Sequence, residues 1–487
     1  MSGKPSSYFA QPSKRRKSFN YLSRRSLAAP LVLIVLLTNV FMHGTMAFAQ
    51  SGMSDAGELA ENILADLGEE SVERIANFKA LSDPENIAQS QRKILQLLDV
   101  AQSFSPLLRE TEFTAAAAGR DIDAAKGARL PQVTLTGQSN YSGGDLASAS
   151  RATGKPSVSI AAQYPLYDWG RISANIRGRE QAQLSALERK TLVSRQVSVE
   201  ATSICLELNK QRAITQANVE YLQKLQDLAN RIGKIVAEDK GRASELLQVR
   251  SRFLQGESQA EQIRSRVKEI GLRLERLLGA NQQSLCRDIG ASLMRIPSES
   301  QILDGIAVHP QIQLLTADYE QAKANTEQIS AVRKPQVNLR AEHAPMAAGI
   351  TNDYAQALTI AATVPIYDGN TLKSSERAAI ERSNAALERI DAARNQLRSD
   401  LLERAKQAAA NFKRAADYVN LLEVNEKVRA DFYLQWAALG RRSLFELLAI
   451  QQEQLILRSG YFTTLYDGMI ATALIRGTLG KLTEQEN

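Results

Sequence analysis

Residues 371–439 read TLKSSERAAIERSNAALERIDAARNQLRSDLLERAKQAAANFKRAADYVNLLEVNEKVRADFYLQWAAL, without one glycine or proline. Glycine and proline are the residues that end helices, so their absence predicts a single helix of about 70 residues, roughly 105 Å long at 1.5 Å per residue. No compact globular domain has room for a rod of that length. Residues 170–239 repeat the pattern, with only Gly178 and Gly233 inside. Each run ends at a Gly-Arg-x-Ser turn, Gly241 to Ser244 and Gly440 to Ser443. Beyond the first turn Leu246, Val249, Phe253, Ala260, Ile263, Val267, Ile270, Leu274 and Leu277 keep coiled-coil spacing; beyond the second, Leu448, Leu455, Phe462 and Met469 step by seven. The spacing predicts antiparallel hairpins, with return helices over residues 243–279 and 443–479.

The two hairpins belong to a duplication. Ser105-Pro106 and Pro131-Gln132-Val133 recur as His309-Pro310 and Pro335-Gln336-Val337, both offset by 204 positions. Tyr164 to Asp168 recurs as Val364 to Asp368. The first repeat is read as 85–279, the second as 306–482, joined by an equatorial segment over 280–305. Each repeat opens with a helical stretch, read in the first as continuous over 85–127. Each holds two alternating runs, predicted as strands over 131–141 and 157–167, then 335–343 and 356–367. Val133, Leu135, Val158, Ile160, Val337, Leu339, Leu358 and Ile360 share the apolar faces; Gln132, Thr134, Gln336, Asn338, Arg340 and Glu342 lie on polar ones. Runs of about 9 to 11 residues suit tilted membrane strands. A soluble sandwich fits the alternation equally well, and the long helices decide against it. A half-length return helix and the half-length helix before each strand pair would stack end to end beside one long helix. Four strands cannot close a barrel, for which about eight is the minimum, so several chains would have to share one.

Residues 1–49 run from a basic stretch with Lys14, Arg15, Arg16, Lys17, Arg24 and Arg25 through an apolar stretch to Ala47-Phe48-Ala49. That order reads as a cleaved secretory signal rather than an anchor. Residues 50–84 read as a partly disordered extension and 483–487 as a tail. The first 49 residues hold seven basic and no acidic residues, leaving 53 of each in the rest. The basic pI therefore belongs to the signal, and nucleic acid drops out as a partner. Past residue 49 only His309 and His343 supply imidazoles. With no phosphate loop and no paired metal ligands, the reading is of a non-enzyme without metal or cofactor.

The Leu-Pro-Gln-Val and Lys-Pro-Gln-Val strand entries at 130–133 and 334–337, the Tyr-Asp-Trp-Gly and Tyr-Asp-Gly-Asn exits at 167–170 and 367–370, and the two Gly-Arg-x-Ser turns resemble the TolC-like outer-membrane efflux family, over about residues 85–482. The resemblance implies a mainly α fold with a membrane β-barrel contribution. In it a homotrimer forms a twelve-strand barrel in the cell outer membrane and an α-helical tunnel in the periplasm. It also implies a passive duct working with a periplasmic adaptor and an inner-membrane ABC or proton-driven transporter. Type I secretion and tripartite efflux are the two variants, with the short tail and the Gly-Arg-Ala-Ser turn tilting the reading toward secretion; a periplasmic coiled-coil scaffold is the alternative. Of the two acids three apart that ring the family's entrance, Glu446 matches the first while Ala449 replaces the second. Arg442 matches a latch position, and Gly241, Arg242, Gly440 and Arg441 share its latch or adaptor-contact reading.

Tyr141, Tyr164, Tyr167, Trp169 and Tyr367 fall at strand ends, where aromatic girdles meet the lipid interface. Cys205 lies near the level at which the return helix ends, and Cys286 follows that end by a few residues. The pair reads either as a disulfide clamp on the tunnel wall or as a small buried residue and a separate thiol.

Overall fold

A computed structural model describes residues 83–138, 157–344, 355–437 and 442–483. The signal reading, most of the extension and tail, and Tyr141, Gly440 and Arg441 lie outside the described residues. Two helices, α1 (Pro84–Phe104) and α2 (Pro106–Gly127), precede strands β1 (Gln132–Gln138) and β2 (Ser157–Tyr167). Then come the long α3 (Arg171–Glu238), the return helix α4 (Ala243–Leu278), and an equatorial segment of short turns. The second repeat has α5 (Glu299–Ala307), α6 (Pro310–Val332), β3 (Gln336–Ala344), β4 (Ala355–Thr363), the long α7 (Thr371–Ala437) and the return helix α8 (Leu444–Leu479).

Residues 85–127 are not one helix. Pro106 lacks the N–H that a continuing helix needs, and Ser105 instead caps a new one, its hydroxyl accepting from the Leu108 N–H at 3.3 Å. His309 and Pro310 make the same break in the second repeat, with the His309 ring accepting from the Gln311 N–H at 3.2 Å. The last strand ends at Thr363 rather than 367, because Pro365 has no N–H for the ladder. In β2, Pro165 is carried through at the cost of an irregular register between Pro165 and Tyr167.

The strands form one antiparallel sheet in the order β1-β2-β3-β4, so β1 and β4 each have a neighbour on one side only. The long helices carry the wall. In the half next to the sheet the packing order is α2-α3-α6-α7; in the half toward the turns it is α4-α3-α8-α7. One edge of this helical layer is made by α2 and α4, the other by α7.

Leu97, Leu206, Ile270, Leu274, Ile289, Leu293 and Met469 fill the core where the halves meet. Nearer the turns, Leu225, Ile232, Val249, Trp436, Leu447 and Leu448 join all four helices. Each fully buried Leu or Ile contributes about 1.5–3 kcal/mol. In the equatorial core Cys205 of α3 is joined to Cys286 by a disulfide, with Cα atoms 4.9 Å apart, and both residues are fully buried.

Candidate conduction path and tip

Pairing across the sheet aligns the side chains into two opposed faces. Leu135 faces Ile160, Val133 faces Ala162, Ala162 faces Ala341, and Ala341 faces Leu358. Tyr164, Leu339 and Ile360 make the next row. Apart from His343 and Gln356, which continue the row of Leu135 and Ile160, this face is apolar yet open: Leu135 is 70% exposed, Leu358 75% and Ile360 68%. The reverse face carries Gln132, Gln163, Arg340 and Thr359 in one row and Thr134, Ala161, Glu342 and Ala357 in another. Among the described residues its charges are one pair, Arg340 and Glu342, bridged at 3.1 Å. An apolar face of this size is stable only when covered, and lipid is the cover that an apolar-out, polar-in strand pattern requires.

Both exits from the sheet turn with two consecutive left-handed residues, Trp169-Gly170 and Gly369-Asn370. The preceding aspartate organises each turn. Asp168 accepts from the Gly170 N–H at 3.0 Å and the Ile172 N–H at 2.7 Å, and Asp368 accepts from the Leu372 N–H at 2.7 Å. The first turns of α3 and α7, whose N–H groups have no helical partner, are thereby satisfied. Trp169 stands edge-on to Tyr167, with ring centroids 4.9 Å apart, and its indole N–H donates to the Pro335 carbonyl at 2.8 Å. Tyr164, Tyr167 and Trp169 are partly exposed, and Tyr367 is 89% exposed.

At the far end, the first turn lies against the end of α7. In the first, Asp239 accepts from the Gly241 N–H at 2.9 Å, while Arg242 grips Glu245 through both guanidinium arms, at 3.0 and 2.7 Å. Glu245 holds the Arg242 guanidinium above its ordinary pKa. The same guanidinium sits 5.9 Å from the Trp436 ring of α7, linking the first turn to the second hairpin. In the second, Ser443 and Glu446 form a reciprocal capping box at the start of α8. Arg442 donates to Glu446 at 2.7 Å and to Gln435 at 3.1 Å, and lies 4.4 Å over Phe432. The Ser443 N–H first, then Arg442, hold the exposed Glu446 carboxyl below the usual carboxylate range. Ala449, where the second acid of the family pattern would stand, is exposed.

The structure thus brings Arg242 to Glu245 and Trp436, Arg442 to Glu446, and Cys205 to Cys286. It holds the strand-end aromatics far along the helices from the tip. Sequence reading did not single out Glu245 as the partner of Arg242, nor Lys334, Arg340 and Glu342 in their pairings. An acid one helical turn beyond Arg242 was the available signal for the first. For the pair in the sheet, it was two opposite charges on an otherwise neutral polar face. No group of His, Cys, Asp and Glu among the described residues could hold a metal ion. No described helix is long and apolar enough to cross a membrane.

The architecture is a four-stranded sheet with an open, largely apolar face, continued by a wall of long antiparallel helices. Residues 97–280 match the family described as outer membrane efflux protein. No curated protein matches the chain in sequence. Among solved structures, a membrane protein from Pseudomonas aeruginosa aligns with a TM-score of 0.70 at 16% identity, over 81% of this chain and 92% of that one. VceC, an outer membrane protein of Vibrio cholerae, aligns at 0.69 and 16% identity, over 81% and 97%. The CmeC outer membrane channel of Campylobacter jejuni aligns at 0.67 and 12%, over 81% and 87%. The fold of the chain is thus that of solved outer-membrane channels, and within its first repeat residues 97–280 match the outer membrane efflux protein family.

Proposed function

We propose that the chain is the passive exit duct of an export complex: three copies close one barrel and one tunnel, and an inner-membrane ABC or proton-driven transporter delivers cargo into it through a periplasmic adaptor. The observation that carries this reading is that sheet and helical wall are open along both edges. On one side β1, α2 and α4 await a neighbour; on the other, β4 and α7 do. Open strand edges are not tolerated in lipid, and a head-to-tail contact of two unlike edges closes into a ring when the rotation allows it. Four strands from each of three copies give twelve, enough for a barrel with a polar lumen. A scaffold remaining in the periplasm would leave Leu135, Leu358 and Ile360 in water, which favours the duct. Among the described residues, a lining of amides and hydroxyls with one self-cancelling ion pair is chemically unselective. It suits an extended polypeptide, as in type I secretion, and the solutes of tripartite efflux alike.

Native mass measurement in detergent, followed by planar-bilayer recording of the same sample, tests the proposal. A trimer that inserts and conducts is expected. A stable monomer, or a protein that stays soluble without detergent and never inserts, would overturn it.

A further inference from the structure

The duplicated motifs depart from each other at the strand entry and at the strand exit, and the fold brings the first repeat's exit to the second repeat's entry. The strand entry reads Leu130-Pro-Gln-Val in the first repeat but Lys334-Pro-Gln-Val in the second, and the exit reads Tyr-Asp-Trp169-Gly in the first but Tyr-Asp-Gly369-Asn in the second. Because β2 pairs with β3, the exit of the first repeat lies against the entry of the second. The Lys334 ammonium sits 5.2 Å from the centre of the Trp169 ring. Trp169 adopts φ +56°, a conformation costly for a bulky side chain and filled by glycine at the matching point of the other repeat. The indole is fixed at both ends, by Pro335 on its N–H and Tyr167 on its edge, which offsets the cost of that conformation.

We propose that Lys334, held over Trp169, takes the phosphate headgroup of an anionic phospholipid in the periplasmic leaflet of the outer membrane. This rests on the reading that the apolar face of the sheet lies in lipid. Tyr167 pairs with Val337, whose side chain belongs to that apolar face, so Val337 and Tyr167 share one level, and Trp169 and Lys334 lie beyond it toward the helices. Apolar, then aromatic, then cationic is the order of hydrocarbon, interface and headgroup in a bilayer leaflet. The neighbouring Arg333 is committed to Glu376. Lys334 has no carboxylate within 4.0 Å among the described residues, and its charge is left for an anion from outside the chain. One such cation near a membrane surface enriches an anionic lipid about fivefold.

Trp169 and Trp436 are the only two tryptophans, so Trp436→Phe makes Trp169 the sole reporter. The full-length Trp436→Phe protein is placed in phosphatidylcholine bilayers holding a minor fraction of lipid brominated on the acyl chain, either phosphatidylglycerol or phosphatidylcholine. Stronger quenching by the brominated phosphatidylglycerol is expected, matching about fivefold local enrichment, with the preference abolished by Lys334→Gln. If Trp436→Phe folds poorly, the difference between the wild type and Trp169→Phe reads the same signal. Equal quenching by the two lipids, or a preference that survives Lys334→Gln, overturns the headgroup site while leaving the membrane reading intact. No quenching by either lipid overturns the membrane reading itself, and the site with it.

Discussion

A buried histidine caps α6. His309 is 1% exposed, and burial first, then the Arg195 guanidinium, push its imidazole down to about 4, against a smaller opposing pull from the Thr478 backbone. A histidine that is harder to protonate when folded stabilises the fold fully above its unfolded value of about 6.5. That contribution is lost as pH falls from there through about 4. His309→Asn keeps a good cap but cannot titrate. Thermal melting from pH 7 to 4 should therefore fall less steeply in the variant than in the wild type, and parallel profiles would refute the assignment. At the tip, Glu446 carries the pore-entrance proposal, although both of its oxygens are engaged by Ser443 and Arg442. Glu446→Gln can keep the capping box but releases Arg442, so single-channel conductance or cation preference in a planar bilayer should change. Because the Glu446 carboxyl is held below its ordinary pKa, the wild-type clamp should persist on mild acidification and loosen only as pH falls through that lowered value.

Among elements, close approach and covalent linkage hold the long helices in place. A Cβ added at Gly477 of α8 would collide with Val199 of α3, so glycine is what lets these helices touch next to the equatorial core. The Cys205 to Cys286 disulfide ties α3 to the equatorial segment across 81 residues of sequence. The Asn209 amide adds a donor to the Cys286 carbonyl at 2.6 Å. Removing a cross-link over a loop of that length costs about 2–5 kcal/mol, chiefly through the freedom regained by the unfolded chain. Cys205→Ala with Cys286→Ala should lower the melting temperature while leaving the tip and its conductance unchanged, since the link lies in the middle of the wall. Labelling of the denatured, unreduced wild type should find no reactive thiol.

For the whole molecule, the decisive features are edges rather than cores. On α4, Leu254 is 63% exposed and lies 11 residues above its start at Ala243; on α7, Val424 is 60% exposed and lies 13 residues before its end at Ala437. At 1.5 Å per residue these stand roughly 17 and 20 Å from the turns, a matched height on opposite edges. In a closed ring, Leu254 of one copy meets the α7 edge of the next. Leu254→Lys or Val424→Glu alone should weaken the assembly, and the two together should restore part of it, read by native mass in detergent. If neither single change alters the mass, the ring does not close along these edges.

How much of this was legible in the sequence depended on the range of the interaction. The long helices could be read because a helix is a local structure, and 371–439 contains nothing that would stop one. The two faces of the sheet were legible in the alternation of Val133, Leu135, Leu339 and Ile360 with Gln132, Thr134, Asn338 and Arg340, since side chains along a strand point to opposite sides whatever the strand packs against. The break at Ser105-Pro106 was also local, and reading 85–127 as one helix passed over a plain stop signal. Tertiary structure alone decided which distant residues meet. Arg242 lies 5.9 Å from a tryptophan of the other hairpin because α3 and α7 both pack on α8. Lys334 lies over Trp169 because the first repeat pairs with the second through β2 and β3. Cys205 reaches Cys286 because the chain folds back at the wall's midpoint. Periodicity records the direction of a side chain from its own backbone, whereas the identity of its partner follows from a packing energy summed over the whole fold, which no short stretch of the chain contains.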